Sequence, residues 1–302
     1  MTTSPLSLPM STLHSKRAKS YAFLLINTII WGAAAPIIKY SLNFTNIYSF
    51  LFWRYLLAFL LFLPIYLNHR KNDAKHMTMN DYICLITLAI LGTPFTLLPL
   101  YFGLSLTDSL TNSVLVATGP LLTIIGGYIF LKEKIQKNEK VGIIIALIGS
   151  AIIIIGPSLG NGQNSLLGGL LVFLSNLIWN IFLLLSKKLK IESTTMSMAS
   201  YLVSIPIFLL LSLFALNFTL YPSTSAIPGI VYMAVLGSIV AFWTYLKGQE
   251  GIEASEAAVF TYLQPIFAFP LSFFWLKEPL TFTLILGSLI IASGVYYSES
   301  RK

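Results

Sequence analysis

The hydrophobic and polar positions divide the chain into ten apolar blocks joined by short polar segments. The blocks run Tyr21 to Tyr40, Ile47 to Leu67, Tyr82 to Phe102, Ser109 to Leu131 and Val141 to Gly156. The second set is Leu166 to Ser186, Met196 to Leu216, Pro228 to Lys247, Ala254 to Leu276 and Thr281 to Tyr297. Each is almost free of charge and sixteen to twenty-three residues long. At a rise of about 1.5 Å per residue, such a length crosses a hydrocarbon core about 30 Å thick. The pattern predicts an all-α membrane protein of ten transmembrane helices.

The two sets of five repeat each other. Leu91-Gly92, Gly103, Pro120, Leu131-Lys132-Glu133, Gly142 and Gly149 recur 145 positions on as Leu236-Gly237, Gly248, Pro265, Leu276-Lys277-Glu278, Gly287 and Gly294. Further back, Trp31 and Lys39 match Trp179 and Lys187 at an offset of 148. Five is odd, so a second copy threaded in continuity enters the membrane from the other side, and the halves are expected to be inverted five-helix repeats. The domain reading is an N-terminal tail at 1–20, a first repeat at 21–156, an external linker at 157–165, a second repeat at 166–297 and a tail at 298–302. An internal duplication of this kind is the usual signature of a transporter.

Composition agrees with the block pattern. Hydrophobic residues make up 56% and charged residues 10%, where a soluble domain carries roughly 25% charged. Sixteen of the nineteen Lys and Arg residues fall on one side if the N-terminus is cytoplasmic: Lys16, Arg17 and Lys19; Arg70, Lys71 and Lys75; Lys132, Lys134, Lys137 and Lys140; Lys187, Lys188 and Lys190; Lys247; Arg301 and Lys302. Lys277 alone falls outside, while Lys39 and Arg54 lie within blocks. The positive-inside rule then places both termini in the cytoplasm. The block from Tyr21 is too long for a signal core, and Pro36 would follow the Ala33-Ala34-Ala35 cut directly, so an uncleaved first span is expected. One cysteine, Cys84, cannot form an internal disulfide, and the three histidines lie in polar segments. No phosphate-binding loop or metal-spaced cluster occurs, so neither a cofactor nor a metal is expected, and nucleic acid is not an expected partner.

Eight prolines fall inside blocks. Pro120 and Pro265 sit halfway along equivalent blocks, which predicts paired kinks near the midplane, where cavity water or neighbours can satisfy the freed carbonyls. Gly142 with Gly149 and Gly287 with Gly294 each share one helix face and are expected to serve close packing, within the chain or in a dimer. The chain is expected to act as a monomer or homodimer.

Arg54 is the sharpest single residue, a charge at bilayer depth that needs compensation. Two readings stand: an ion pair with Asp108 at the outer start of the fourth span, or contact with substrate. Lys39 is expected to snorkel to headgroups. Glu256 is either a coupling or gating acid or a solvated first-turn glutamate. Trp31 lies mid-span rather than at an interface, and Trp179 is its counterpart. With Asn27, Asn176 and Asn180 on the same faces, these indoles can stack on a flat substrate and bond to it, or act as interhelical glue. Tyr101, Thr118, Trp243, Tyr262 and Gln264 are further candidates, Gln264 because it precedes Pro265.

Trp31-Gly32 with Lys39, Arg54 in the second span, and two copies of Pro followed eleven residues on by Leu-Lys-Glu and a glycine-bearing helix resemble the EamA-type branch of the drug/metabolite transporter superfamily. The resemblance covers Tyr21 to Tyr297. It implies a secondary transporter of small organic metabolites such as amino acids, their derivatives or drugs, working outward across a bacterial inner membrane by alternating access. It also implies a cavity lined by the first, third, fourth, sixth, eighth and ninth spans. Import or exchange of a nucleoside-like metabolite such as S-adenosylmethionine is the alternative. A membrane enzyme would need a catalytic constellation that the spans lack, and a purely structural subunit would have no need of paired kinks. The second half departs from the first in having no arginine matching Arg54, since Tyr201 to Leu210 is uncharged.

Overall fold

The computed structural model describes residues 10–72, 77–131, 135–156, 163–214, 222–252 and 254–299. Lys132-Glu133, Lys75, most of the 157–165 linker and both chain ends lie outside these. Among the described residues the protein is helical, without strands, and nine helices are long and apolar enough to cross a membrane. They are α1 (Arg17–Ser41), α2 (Ile47–Arg70), α3 (Met79–Leu106), α4 (Ser109–Ile129), α5 (Lys137–Ile155), α6 (Leu166–Lys188), α7 (Ser193–Phe214), α8 (Thr224–Glu250) and α9 (Glu256–Trp275). A tenth apolar helix, α10 (Phe282–Ser298), is shorter.

Several helices overrun the apolar blocks by about a turn, because end turns are closed by polar caps that hydropathy does not register. Before α3, the Thr78 hydroxyl accepts the Asp81 N–H at 3.3 Å and the Asp81 carboxylate accepts the Thr78 N–H at 2.8 Å, a reciprocal capping box. Before α5, the Glu139 carboxylate accepts the Gln136 N–H at 2.6 Å.

The glycine pairs pack within the chain. A Cβ on Gly142 would lie 2.5 Å from the Gly294 carbonyl, and one on Gly149 would lie 2.8 Å from that of Gly287. Backbones of α5 and α10 therefore touch twice along their length, the close approach that small residues permit in lipid. A second cluster of close packing lies between α2 and α7, where Tyr55 stacks on Phe208 at 5.7 Å and Phe62 meets Tyr201 edge-on at 5.5 Å. Around the bundle, side chains such as Leu25, Ile29, Leu61, Ile148 and Leu202 point outward, as a protein solvated by lipid requires.

Four helices leave α geometry part-way. The backbone is π-helical over Leu91–Phe95 in α3 and Met233–Phe242 in α8, at equivalent repeat positions. In α4 the α-helix ends at Val116 and restarts at Gly119, and in α9 a 3-10 stretch at Val259–Leu263 precedes a restart at Gln264. The breaks thus lie just before Pro120 and Pro265 rather than at them. Each proline occupies the first or second position of the restarted helix, where a missing N–H leaves no bond unmade.

Candidate functional site

Seven helices, α1, α2, α3, α4, α6, α8 and α9, enclose a central cavity of about 130 Å³. Its wall is mainly apolar, with Ala34, Ala35, Ile38, Leu97, Leu100, Leu183 and Met233 among its lining. The second helix, not among the expected lining spans, supplies Arg54 and Tyr55.

Trp31 is held on three sides. Its ring stacks on Tyr245 at 5.6 Å and meets Trp179 edge-on at 5.3 Å, while its indole N–H donates to the Gly237 carbonyl at 3.0 Å. That carbonyl lies in the π-helical stretch of α8, whose wider winding takes acceptors out of the ordinary ladder. A Cβ on the adjoining Gly32 would fall 2.7 Å from Phe267 Cβ and 2.9 Å from the Gln264 carbonyl, so the glycine lets α9 bring Gln264 to the cavity. Trp179 is packed against Phe182 and Phe242, and no protein acceptor meets its indole N–H among the described residues.

Arg54 is 4% exposed. Its Nε donates to Ser238 Oγ at 2.8 Å and its Nη1 to the Tyr101 hydroxyl at 2.9 Å, and its guanidinium carbon lies 5.0 Å from the Tyr55 ring centroid. The ion pair with Asp108 considered from sequence is not formed; Arg17 with Glu256 and Lys247 with Glu250 are examples of the ion pairs among the described residues. Hydroxyl dipoles and an aromatic face meet the charge instead. In α7 a serine stands in the corresponding place: Ser204 Oγ, which donates to the Ser200 carbonyl at 2.6 Å, lies 2.9 Å from Thr93 Oγ1, and Thr93 precedes Ser238 by the 145-residue offset.

Lys39 does not run to the headgroups. Its ammonium donates to the carbonyls of Leu104 at 2.9 Å, Ser105 at 3.3 Å and Thr107 at 2.6 Å, closing the C-terminal end of α3, because unmet helix-end carbonyls are better acceptors than a distant interface. At the opposite end of the bundle Lys187 donates to the carbonyls of Gln249 and Ile252, closing α8 in the same way.

The amides divide into spent and unspent groups. Asn176 lines the cavity, but its NH₂ serves the break in α4, donating to the Leu115 carbonyl at 3.1 Å and Thr118 Oγ1 at 3.2 Å. Thr28 stands at the corresponding place beside α9, its hydroxyl 2.8 Å from the Leu24 carbonyl of its own helix and 3.2 Å from the Phe260 carbonyl. Asn180 donates to the Asn176 carbonyl at 2.7 Å and accepts from Thr123. Asn27 lies off the cavity and donates to the Ala241 carbonyl at 2.9 Å. Thr118, Trp243 and Tyr262 do not line it either, and the Trp243 N–H bonds Thr194 Oγ1 at 3.2 Å. Asn112 lines the cavity with Oδ1 buried and unpartnered. The side-chain amide of Gln264, 5% exposed, also has no protein hydrogen bond among the described residues. Asn112, Tyr55 and Tyr245 were not picked out from sequence; an asparagine inside a span was the one available signal.

Asp108 and Glu256 lie beyond the cavity. Glu256 accepts the Tyr21 hydroxyl and lies 3.6 Å from Arg17, joining the starts of α1 and α9. Asp108 holds the N-cap position of α4 without a capping bond. Glu278 closes that helix end instead, accepting the N–H groups of Ser109 at 2.8 Å and Leu110 at 3.1 Å. Burial, then the neighbouring Glu278 carboxylate, pushes the Asp108 carboxyl above its ordinary range, which Lys39 only partly offsets. An acid whose folded value is raised costs stability once the pH exceeds its unfolded value. Asp108→Asn is therefore expected to raise the thermal midpoint at pH 7. The gain should vanish below about pH 3.9, where an unfolded aspartate is itself protonated. A thermal-melt series against pH checks this.

A family model described as the EamA-like transporter family matches residues 18–155 and again 166–298. A Bacillus subtilis (strain 168) protein named "Uncharacterized transporter YyaM" is 28% identical over 93% of both chains. An Archaeoglobus fulgidus "Uncharacterized transporter" is 30% identical over 94% of this chain and all of its own. One solved crystal structure superposes with a TM-score of 0.70 over 93% of this chain and 96% of that chain at 14% identity, a likeness of fold.

Proposed function

Because the chain belongs to the EamA-like transporter family and is a multi-pass membrane protein, we propose that it is a secondary transporter of small organic metabolites, moved through the central cavity by alternating access of two inverted five-helix repeats. The observation that carries this reading is the exchange of like contacts between the halves. Gly142 meets Gly294 while Gly149 meets Gly287, so each glycine faces the copy of the other. Lys39 binds the carbonyls of Leu104 and Thr107, and Lys187 those of Gln249 and Ile252, 145 positions on. Thr28 stands beside the break in α9 as Asn176 stands beside that in α4. Reciprocal pairs of this kind are what a two-fold axis produces. With an axis in the membrane plane, the arrangement open to one side has an equivalent open to the other.

In this reading Trp31, Trp179, Arg54, Tyr101, Asn176, Asn180 and Gln264 face the substrate. The breaks before Pro120 and Pro265 form the flexible midplane, and Glu256 and Asp108 belong to opposite closures. The substrates are amino acids, their derivatives or drugs of modest size, since about 130 Å³ is near the volume that holds a benzene-sized group. Both termini are cytoplasmic and the direction is export. Purified protein in vesicles preloaded with unlabelled amino acids, amino-acid derivatives or S-adenosylmethionine tests this. Labelled compound of the same class should exchange in saturably, and Trp179→Ala should reduce the flux. No flux across the panel from folded protein would end the transport reading.

A further inference from the structure

Resting on the assignment of this cavity as the substrate site, we propose that Arg54 selects substrate charge, and that the occupant carries a carboxylate seated on its guanidinium. A guanidinium has five N–H donors in a rigid fork. Two are used, on Ser238 and Tyr101, and no other hydrogen bond to Arg54 occurs among the described residues. Three donors and a full charge therefore line a cavity at bilayer depth, on a side chain that is 4% exposed. Among the described residues no carboxylate lines this cavity, so none of them supplies a counter-charge there.

A buried cation without an anion is costly, and planar bidentate recognition of a carboxylate is the interaction that Arg makes best. Opposite chemistry is also present. Asn112 Oδ1 is a buried acceptor with nothing bonded to it, which suits an N–H donor on the same molecule. The remaining wall is apolar and aromatic, which suits a hydrocarbon or ring substituent. Ser204 occupies the corresponding contact in α7, so the anion site exists in one half only.

The test uses purified full-length protein in detergent and needs no flux. Binding of leucine and phenylalanine is measured against their carboxamides by thermal shift and calorimetry, in the wild type, Arg54→Gln and Arg54→Lys. In the wild type the carboxylates should bind at least about tenfold more tightly than the amides, the value of one charge-assisted contact. Arg54→Gln should bring the ratio to about one, and Arg54→Lys should keep part of the preference as a point charge without the fork. Equal binding of acid and amide to the wild type overturns the proposal, as does binding of neither, or a preference that survives in Arg54→Gln. If Arg54→Gln does not fold, the wild-type ratio and Arg54→Lys decide. Carboxylate preference without vesicle flux would sink the transport reading and leave this one standing.

Discussion

Trp31→Ala is expected to abolish ligand-induced stabilisation while Lys39→Gln leaves most of it, although both lower the melting temperature of the empty protein. The indole bridges α6 and α8 through Trp179, Tyr245 and the Gly237 carbonyl, so truncation removes a ring contact, a cavity wall and a backbone bond together. Large-to-small changes of this kind cost about 3 to 5 kcal/mol. Lys39 closes a helix end and does not line the cavity, so its loss weakens α3 without altering what a ligand touches. A thermal-shift screen of amino acids, nucleosides and S-adenosylmethionine on both variants separates the two effects. A retained shift in Trp31→Ala, or a lost one in Lys39→Gln, would move the site away from this cavity.

Gly149→Leu should strongly destabilise the fold, lowering both yield and melting temperature. A Cβ there falls 2.8 Å from the Gly287 carbonyl and 2.9 Å from Ile291 Cγ1, and the facing Gly287 has Ile153 Cγ1 at 2.4 Å from its own would-be Cβ. The isoleucine side chains can turn, but the Gly287 carbonyl and the Ile291 N, 3.0 Å from the same Cβ, cannot move aside without separating α5 from α10. Overpacking typically costs about 1 to 3 kcal/mol where side chains can give way, and here the facing atoms include main chain, so the cost is at the upper end or beyond. Ala151→Leu, on the exposed face of the same helix, should leave yield and melting temperature unchanged. Size-exclusion profiles of the two variants make the comparison, and a well-folded Gly149→Leu protein would disprove the contact.

Which features could be read from sequence follows from where the signal resides. The duplicated pattern on which the repeat proposal rests is legible because glycine, proline and Leu-Lys-Glu leave marks at a constant offset. Trp31 and Trp179 stood out because indoles at mid-span are unusual. Lys39 was misread because its partners are carbonyls, which every residue carries and no sequence advertises. For Arg54 the sequence offers a pair with Asp108 or contact with substrate, while the partners it has in the protein, Ser238 and Tyr101, are common residue types whose proximity depends on how α2, α3 and α8 pack. The π-helical stretches, too, have no composition of their own. Pro94 lies within one and Pro270 directly precedes another, Leu271–Trp275 in α9, but nothing comparable marks Met233–Phe242.

The double contact between α5 and α10 has a practical consequence. Two backbones locked carbonyl to glycine at two heights resist sliding past each other, so in the alternating-access reading proposed above this pair is a stationary post against which the other helices are measured. Spin labels on its lipid-facing positions would keep a constant separation through the working cycle, giving an internal ruler for whatever the labels across the cavity report.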